Sequence, residues 1–279
     1  MRVSIVTISY NQAQFLERAL KSVIEQDHDD IEYIIVDPGS TDGSRDIIER
    51  YRSRIAKLIF EPDKGPADGL NKGFAHATGE IYGYLNSDDM LLPGVLSRVN
   101  HFFQTNPNVD VVSGHCIVTD EHDRKVRNSY SDRFSLLNYA YGAAILMQPS
   151  TFFRAEIFER TNGFNISNKS NWDGELFVDM LLQGGRFAVV GEFWSAYRLH
   201  WESITSSKKL DDQIREHGKV MFRKIMGRDM LSYDLFFKIF CRLLKWAQNP
   251  RGLYERLSKG PIYGRSTKNN CGRKKHNEF

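Results

Sequence analysis

Cysteine is scarce in this 279-residue sequence, and the three present, Cys116, Cys241 and Cys271, are odd in number, far apart and outside any metal-ligand spacing. A disulfide framework and a thiolate metal site are thereby excluded, and reduced thiols are expected. Long apolar runs are missing as well: none approaches the roughly 20 residues of a spanning helix. The N-terminus runs straight into a strand-like segment with no sign of a signal peptide, so a cytoplasmic location is expected. Excess charge of one sign is also lacking. With 38 Lys and Arg against 35 Asp and Glu the net charge is +3, which makes no case for a nucleic-acid partner without a basic stripe. No Gly-X-Gly-X-X-Gly follows the first strand, so a dinucleotide-dependent dehydrogenase is excluded. Asn11-Gln12-Ala13-Gln14 stands where a nucleotidyltransferase would want a glycine-rich phosphate loop with a basic residue.

What is present is a regular alternation. Arg2 to Ser9 reads as a buried β-branched strand, followed by a helical pattern of Phe15, Leu16, Ala19, Leu20, Val23 and Ile24. A second strand, Ile31 to Val36, ends at Asp37 and leads through a Gly/Ser-rich turn into a helix from Ser44 to about Ile55. A third strand spans Lys57 to Phe60, and Glu80 to Leu85 reads as a fourth. Strands alternating with helices imply a parallel sheet, whose ligands lie beyond the carboxyl ends of the strands. Ser9-Tyr10, Asp37 and Asn86-Ser87-Asp88-Asp89 all fall at such ends. Adjacent carboxylates there suit Mg²⁺ or Mn²⁺, hard cations commonly held by one or two carboxylates plus substrate phosphates. Taken alone, the same four residues are also ordinary turn and capping chemistry.

The segments Val3 to Asn11, Ile34 to Ser44, Glu61-Pro62-Asp63-Lys64-Gly65 through Gly73, Ala77 to Glu80 and Leu85 to Asp89 share an order and spacing. In these the sequence resembles the family 2 glycosyltransferases, and Trp172 to Leu176 and Arg198-Leu199-His200 extend the likeness over about the first 205 residues. The resemblance implies an α/β fold of the GT-A, nucleotide-diphospho-sugar transferase type. That fold has a mostly parallel central sheet flanked by helices. It also implies inverting transfer of a sugar, with a UDP-sugar as the expected donor, to a saccharide or lipid-linked acceptor in bacterial surface polysaccharide assembly. The alternatives are a polysaccharide or sugar-nucleotide binding module without catalysis, or a nucleotidyltransferase.

Residue by residue, Thr7 and Tyr10 match first-strand positions that border the base, and Asp37 matches the acid that holds uracil or ribose. Asp68 and Asn71 lie where the family lines the donor pocket, although Asn71-Lys72-Gly73 also reads as a helix surface and its stop. Asp88 matches the last acid of the Asp-X-Asp motif, the usual metal ligand, with Asp89 beside it and Ser87 before it. Asn86 departs from the usual Asp; its amide hydrogen-bonds a ribose hydroxyl but adds no charge to a metal. Asp173, opening a helical pattern that stops at Gly184-Gly185, matches the family's catalytic base, with Glu175 as the fallback. His200 matches a histidine that approaches the metal or diphosphate. Gln148-Pro149-Ser150 and Trp172 fall on the acceptor side, where Trp172 either stacks on a sugar or packs.

Beyond about residue 205 the resemblance ends, and residues 206–258 read as a helical extension. One helix is expected from Lys209 to Met226 and a second from Leu231 to Ala247, with Leu235, Phe236, Ile239, Phe240, Leu243 and Leu244 on one side. Lys238, Arg242 and Lys245 occupy another face. The pattern fits a helix packed on the domain with a solvated polar face, or one lying on an anionic membrane at the inner face of the plasma membrane. Residues 259–279 read as a disordered tail.

Overall fold

The structure, a computed structural model, describes residues 1–200, 211–260 and 262; Cys271 and nearly all of the expected tail lie outside them. Strands β1 (Val3–Ile8), β2 (Ile31–Val36), β3 (Lys57–Ile59) and β4 (Ile81–Asn86) form a parallel unit in the order β3-β2-β1-β4. Helices α1 (Ala13–Ile24), α2 (Ser44–Arg50) and α3 (Pro66–Phe74) connect them. The helix expected to reach Ile55 breaks after Arg50 into one 3₁₀ turn, Arg52–Arg54. The side-chain period of two sends alternate residues to opposite layers. Val6, Ile34, Val36 and Tyr84 pack under α3, whereas Ile5, Tyr33, Ile35 and Leu85 pack under α1, which buries Phe15, Leu16, Ala19, Leu20 and Val23.

Helix α3 lies so close to β1 that a Cβ on Gly73 would come within 2.4 Å of Val6 Cγ1. Gly73 is therefore a contact point inside the helix, which continues to Phe74, and not its stop.

The second half of the sheet is mixed. It contains β5 (Met90–Leu91), β6 (Val111–Thr119), β7 (Lys125–Ser129), β8 (Thr151–Arg154) and β9 (Phe187–Arg198). The full order is β3-β2-β1-β4-β8-β6-β9-β5, with β7 on β6. Helices α4 (Val95–Thr105), α5 (Leu136–Ala140), α6 (Ala155–Glu159) and α7 (Trp172–Leu182) cover it. The two-residue strand β5 places Met90 opposite Ala196 and Leu91 opposite Ser195. That short pairing brings the turn after β4 against the end of β9.

The extension consists of α8 (Asp211–Met226), α9 (Asp234–Gln248) and α10 (Pro250–Lys259). It is fastened by polar contacts around a small apolar cluster of Tyr141, Ala143, Phe222 and Cys241. Asp234, fully buried, accepts from Tyr141 Oη at 2.7 Å and from Arg228 Nη1 and Nη2 at 2.6 and 2.9 Å. Lys245 Nζ lies 2.8 Å from Asp132 Oδ2, and Lys224 Nζ lies 3.6 Å from Glu175 of α7. This corrects the expectation that α9 packs on the domain with its polar face in solvent. Lys238, Arg242 and Lys245 line the cleft between extension and sheet, and the apolar side of the helix faces outward.

Candidate active site

A cleft of about 1700 Å³ runs along the carboxyl ends of β1 and β4 and is closed on the far side by α8 and α9. Its floor is set by loops tied to one another. Asn11, held in the left-handed conformation at φ 52°, receives Thr41 N–H at 2.9 Å on its side-chain oxygen and donates its own N–H to Ser40 Oγ at 2.9 Å. The turns after β1 and β2 are thereby locked together. Tyr10, 60% exposed, stands free on the cleft wall as an apolar plate with a polar tip.

Asp37 is fully buried beside this wall. Its Oδ1 accepts the N–H groups of Gly39 and Ser40 at 3.0 and 2.8 Å and Arg45 Nε at 3.1 Å, while Oδ2 has no hydrogen-bond partner. One buried carboxylate oxygen is thus fully occupied and its twin is left to accept. Asp63, which belongs to the Glu61-Pro62-Asp63-Lys64-Gly65 motif, lines the cleft. Burial and the neighbouring charges of Asp68 and Asp37 push its carboxyl up from the usual range.

The turn after β4 meets the end of β9 in one polar pair: His200 Nε2 lies 2.9 Å from Asp88 Oδ2, and both residues line the cleft. The imidazole packs on the Phe15 ring at a 4.8 Å centroid separation, and the Arg198 guanidinium donates to Asp88 O at 2.6 Å and sits over the same ring. Asn86 Nδ2 donates to Gln148 Oε1 at 3.3 Å, and Gln148 Nε2 is itself anchored on Tyr84 O at 2.9 Å. Asn86 and Ser87 line the cleft.

Helix α7 begins with Trp172 and Asp173, which also line the cleft. Asp173 Oδ1 accepts Gly174 N–H at 2.8 Å. A helix N-terminus favours the ionised form. Burial outweighs it and raises the carboxyl above the usual range. Glu175 points elsewhere. It is buried, accepts from Asn165 Nδ2 at 3.0 Å and Asn168 Nδ2 at 2.8 Å, and belongs to the fastening of α8. Trp172 packs against the apolar core and also lines the cleft.

Five expected site residues do not line the cleft: Asp37, buried beside it, and Thr7, Asn71, Asp68 and Asp89. Thr7 is fully buried and shares a 3.0 Å hydrogen bond with Tyr33 Oη, because strand alternation turns it to the layer under α1. Asn71 spans to the backbone of Phe164, donating to its O and accepting from its N, both at 2.8 Å. Asp68 caps the loop before α3 by accepting Lys64 N–H at 2.9 Å. Asp89 is fully buried behind Asp88. It accepts Arg198 N–H at 3.0 Å, and burial and the Asp88 charge push its carboxyl well above the usual range. Asp89 therefore braces the β4–β9 junction instead of facing the cleft.

A model of glycosyl transferase family 2 matches residues 4–161, more than half of the chain. The chain belongs to that family. It is 31% identical over 211 residues to an uncharacterized glycosyltransferase of Nostoc sp., a match covering 72% of this chain and 65% of that protein, just under two thirds of its length. It is also 31% identical over 281 residues to the GalNAc(5)-diNAcBac-PP-undecaprenol beta-1,3-glucosyltransferase of Campylobacter jejuni, covering 92% and 87% of the two chains. Among solved structures, S. aureus TarS in complex with UDP-GlcNAc superposes with a TM-score of 0.66 at 19% identity, over 99% of this chain and 76% of that one. A mannosyltransferase of Pyrobaculum calidifontis in complex with GDP-Man and Mn²⁺ gives 0.60 at 21% identity, over 93% and 76%. The GT-A fold and the glycosyltransferase assignment follow.

Divalent cations are common in this fold. Among the described residues no three His, Cys, Asp or Glu side chains converge on a common point. Asp88 and His200 do converge, offering one carboxylate and one imidazole on the cleft wall. Two protein ligands suit a hard cation that completes its coordination with diphosphate oxygens and water. The residues of this glycosyltransferase fit Mg²⁺ or Mn²⁺ in that mode.

Proposed function

We propose that this glycosyltransferase moves a sugar, with inversion, from a UDP-sugar to a hydroxyl of a saccharide or lipid-linked acceptor in surface polysaccharide assembly. The observation that carries the reading is that Asp173 lines the same cleft as the Asp88–His200 pair. Tyr10 supplies a stacking surface for the base, and Asp37, unpartnered at Oδ2 but buried beside the cleft, would need the loop after β2 to shift before that oxygen could accept from base or ribose. Asn86, steadied by Gln148, donates to a ribose hydroxyl.

Asp173 takes the acceptor hydroxyl's proton while that oxygen bonds to the anomeric carbon and the bond from carbon to the leaving diphosphate breaks. Asp88 and His200 would hold the divalent cation, and a bound cation supplies charge neutralisation at the leaving diphosphate. A nucleotide-sugar donor is supported by the UDP-GlcNAc and GDP-Man complexes of the structural neighbours. The acceptor is suggested by the name of the Campylobacter relative, an enzyme acting on an undecaprenol-diphosphate-linked saccharide.

The test is calorimetry of UDP binding with Mn²⁺ and with chelator. Wild type should bind more tightly with metal, and Asp88→Ala should lose the difference. Equal affinities in wild type would overturn the metal-assisted site. Absence of UDP release across a panel of UDP-sugars and acceptors would leave a binding module in its place.

A further inference from the structure

Helix α9 buries only Asp234 and Cys241. Its apolar side, Leu235, Phe236, Ile239, Phe240 and Leu243, is 51–69% exposed, and Leu231 just before the helix is 49% exposed. Single exposed apolar residues are ordinary, but a contiguous patch of two aromatic and several aliphatic side chains on one helix marks an interface. No helix among the described residues is long and apolar enough to cross a membrane. The patch therefore belongs to a surface that lies on its partner.

Charge identifies the partner. Residues 1–200 contain 20 Lys and Arg against 27 Asp and Glu, whereas residues 211–260 contain 11 against 6. The excess positive charge is thus concentrated in the segment that carries the patch. Lys238 and Arg242 flank the apolar side on the edge nearest the cleft. Two copies meeting through this face would bring two basic segments together. An anionic lipid surface offers both missing complements, hydrocarbon for the apolar side and phosphate for its cationic edge.

We propose that α9 lies in the interfacial layer of an anionic membrane, its apolar side among the acyl chains and Lys238 and Arg242 at headgroup level. The cleft lined by those two residues then opens beside the membrane surface. This inference stands apart from the sugar-transfer reading, because vesicle binding requires neither UDP nor turnover.

Co-sedimentation of the full chain with phosphatidylcholine vesicles, with and without phosphatidylglycerol, tests it. The protein should pellet with the anionic vesicles at low salt, stay largely soluble with phosphatidylcholine alone, and be released as salt rises. The double variant Phe236→Ser/Phe240→Ser should bind at least tenfold more weakly. These side chains are exposed, so its melting temperature and its UDP affinity should match wild type, which keeps a loss of binding separate from misfolding. Lys238→Gln/Arg242→Gln should lose the dependence on anionic lipid. A folded wild-type protein that ignores anionic vesicles at low salt overturns the proposal. So does light scattering that shows a dimer dissociated by the Phe236→Ser/Phe240→Ser pair, since the patch would then be covered by a second copy.

Discussion

Asp173 feels two opposed influences, a helix N-terminus that favours its charge and a desolvated setting that disfavours it, and the second wins. A raised native pKa means that the folded protein binds this proton more tightly than the unfolded chain, whose carboxyl titrates near 3.8. Stability therefore falls as pH rises through the native value, and at neutral pH the ionised carboxylate is a cost. Asp173→Asn should lower turnover by a factor on the order of a hundred or more, the scale of general-base contributions. Its melting temperature at pH 7 should nevertheless equal or exceed that of wild type. In the wild type the acid limb of kcat should sit above the ordinary carboxylate range. A variant that keeps wild-type turnover would remove Asp173 from the chemistry. Glu175→Gln should instead lower the melting temperature through its loss of Lys224 and reduce kcat far less than Asp173→Asn does, because its contacts are all within the protein.

At the scale of elements, the approach of α3 to β1 is the tightest constraint on the donor side of the cleft. Gly73→Ala puts a methyl against Val6, and overpacking of this kind costs about 1–3 kcal/mol. The loss should appear as a lower denaturation midpoint in urea, and adding Val6→Ala should restore part of it. Strictly additive losses in the double variant would show that the two residues do not meet. Elements such as β1, β2, β4 and α1 were legible in the sequence because their apolar periods are uninterrupted, and the strand ends carried the expected polar residues. Register was less legible. The meeting of Asp88 with His200 spans 112 positions and depends on a strand of two residues, β5, too short to show a period. Thr7 and Asp89 lie beside cleft residues in sequence, and strand alternation or a turn directs each of them to the other side. The orientation of α9 was not legible at all. An amphipathic pattern defines two faces without saying which one turns inward, and here the buried ion pairs of Asp234 and Lys245 decide it.

Across the whole molecule, the extension is attached mainly through such ion pairs. The Arg228 guanidinium holds the Asp234 carboxyl well below the usual range. Its contribution to stability is therefore present above the unfolded value near 3.8 and is lost as pH falls through the native one. Asp234→Asn should lower the melting temperature at neutral pH and admit a protease between α8 and α10, and its deficit relative to wild type should shrink in acid. A constant deficit at every pH would mean that the carboxylate's charge is irrelevant.

The attachment at Glu175 reaches further. Helix α7 presents Asp173 to the cleft on one side and binds Lys224 of α8 through Glu175 and Asp179 on another, with Lys224 Nζ 2.5 Å from Asp179 Oδ1. The candidate base and the acceptor-side wall are thus mounted on a single beam, whereas Asp88 and Asn86 hang from β4. Loosening that beam moves the proton acceptor relative to the donor without touching the donor's own contacts. Substitutions along it, although remote from the sugar, should register in kcat and leave the donor's KM nearly still.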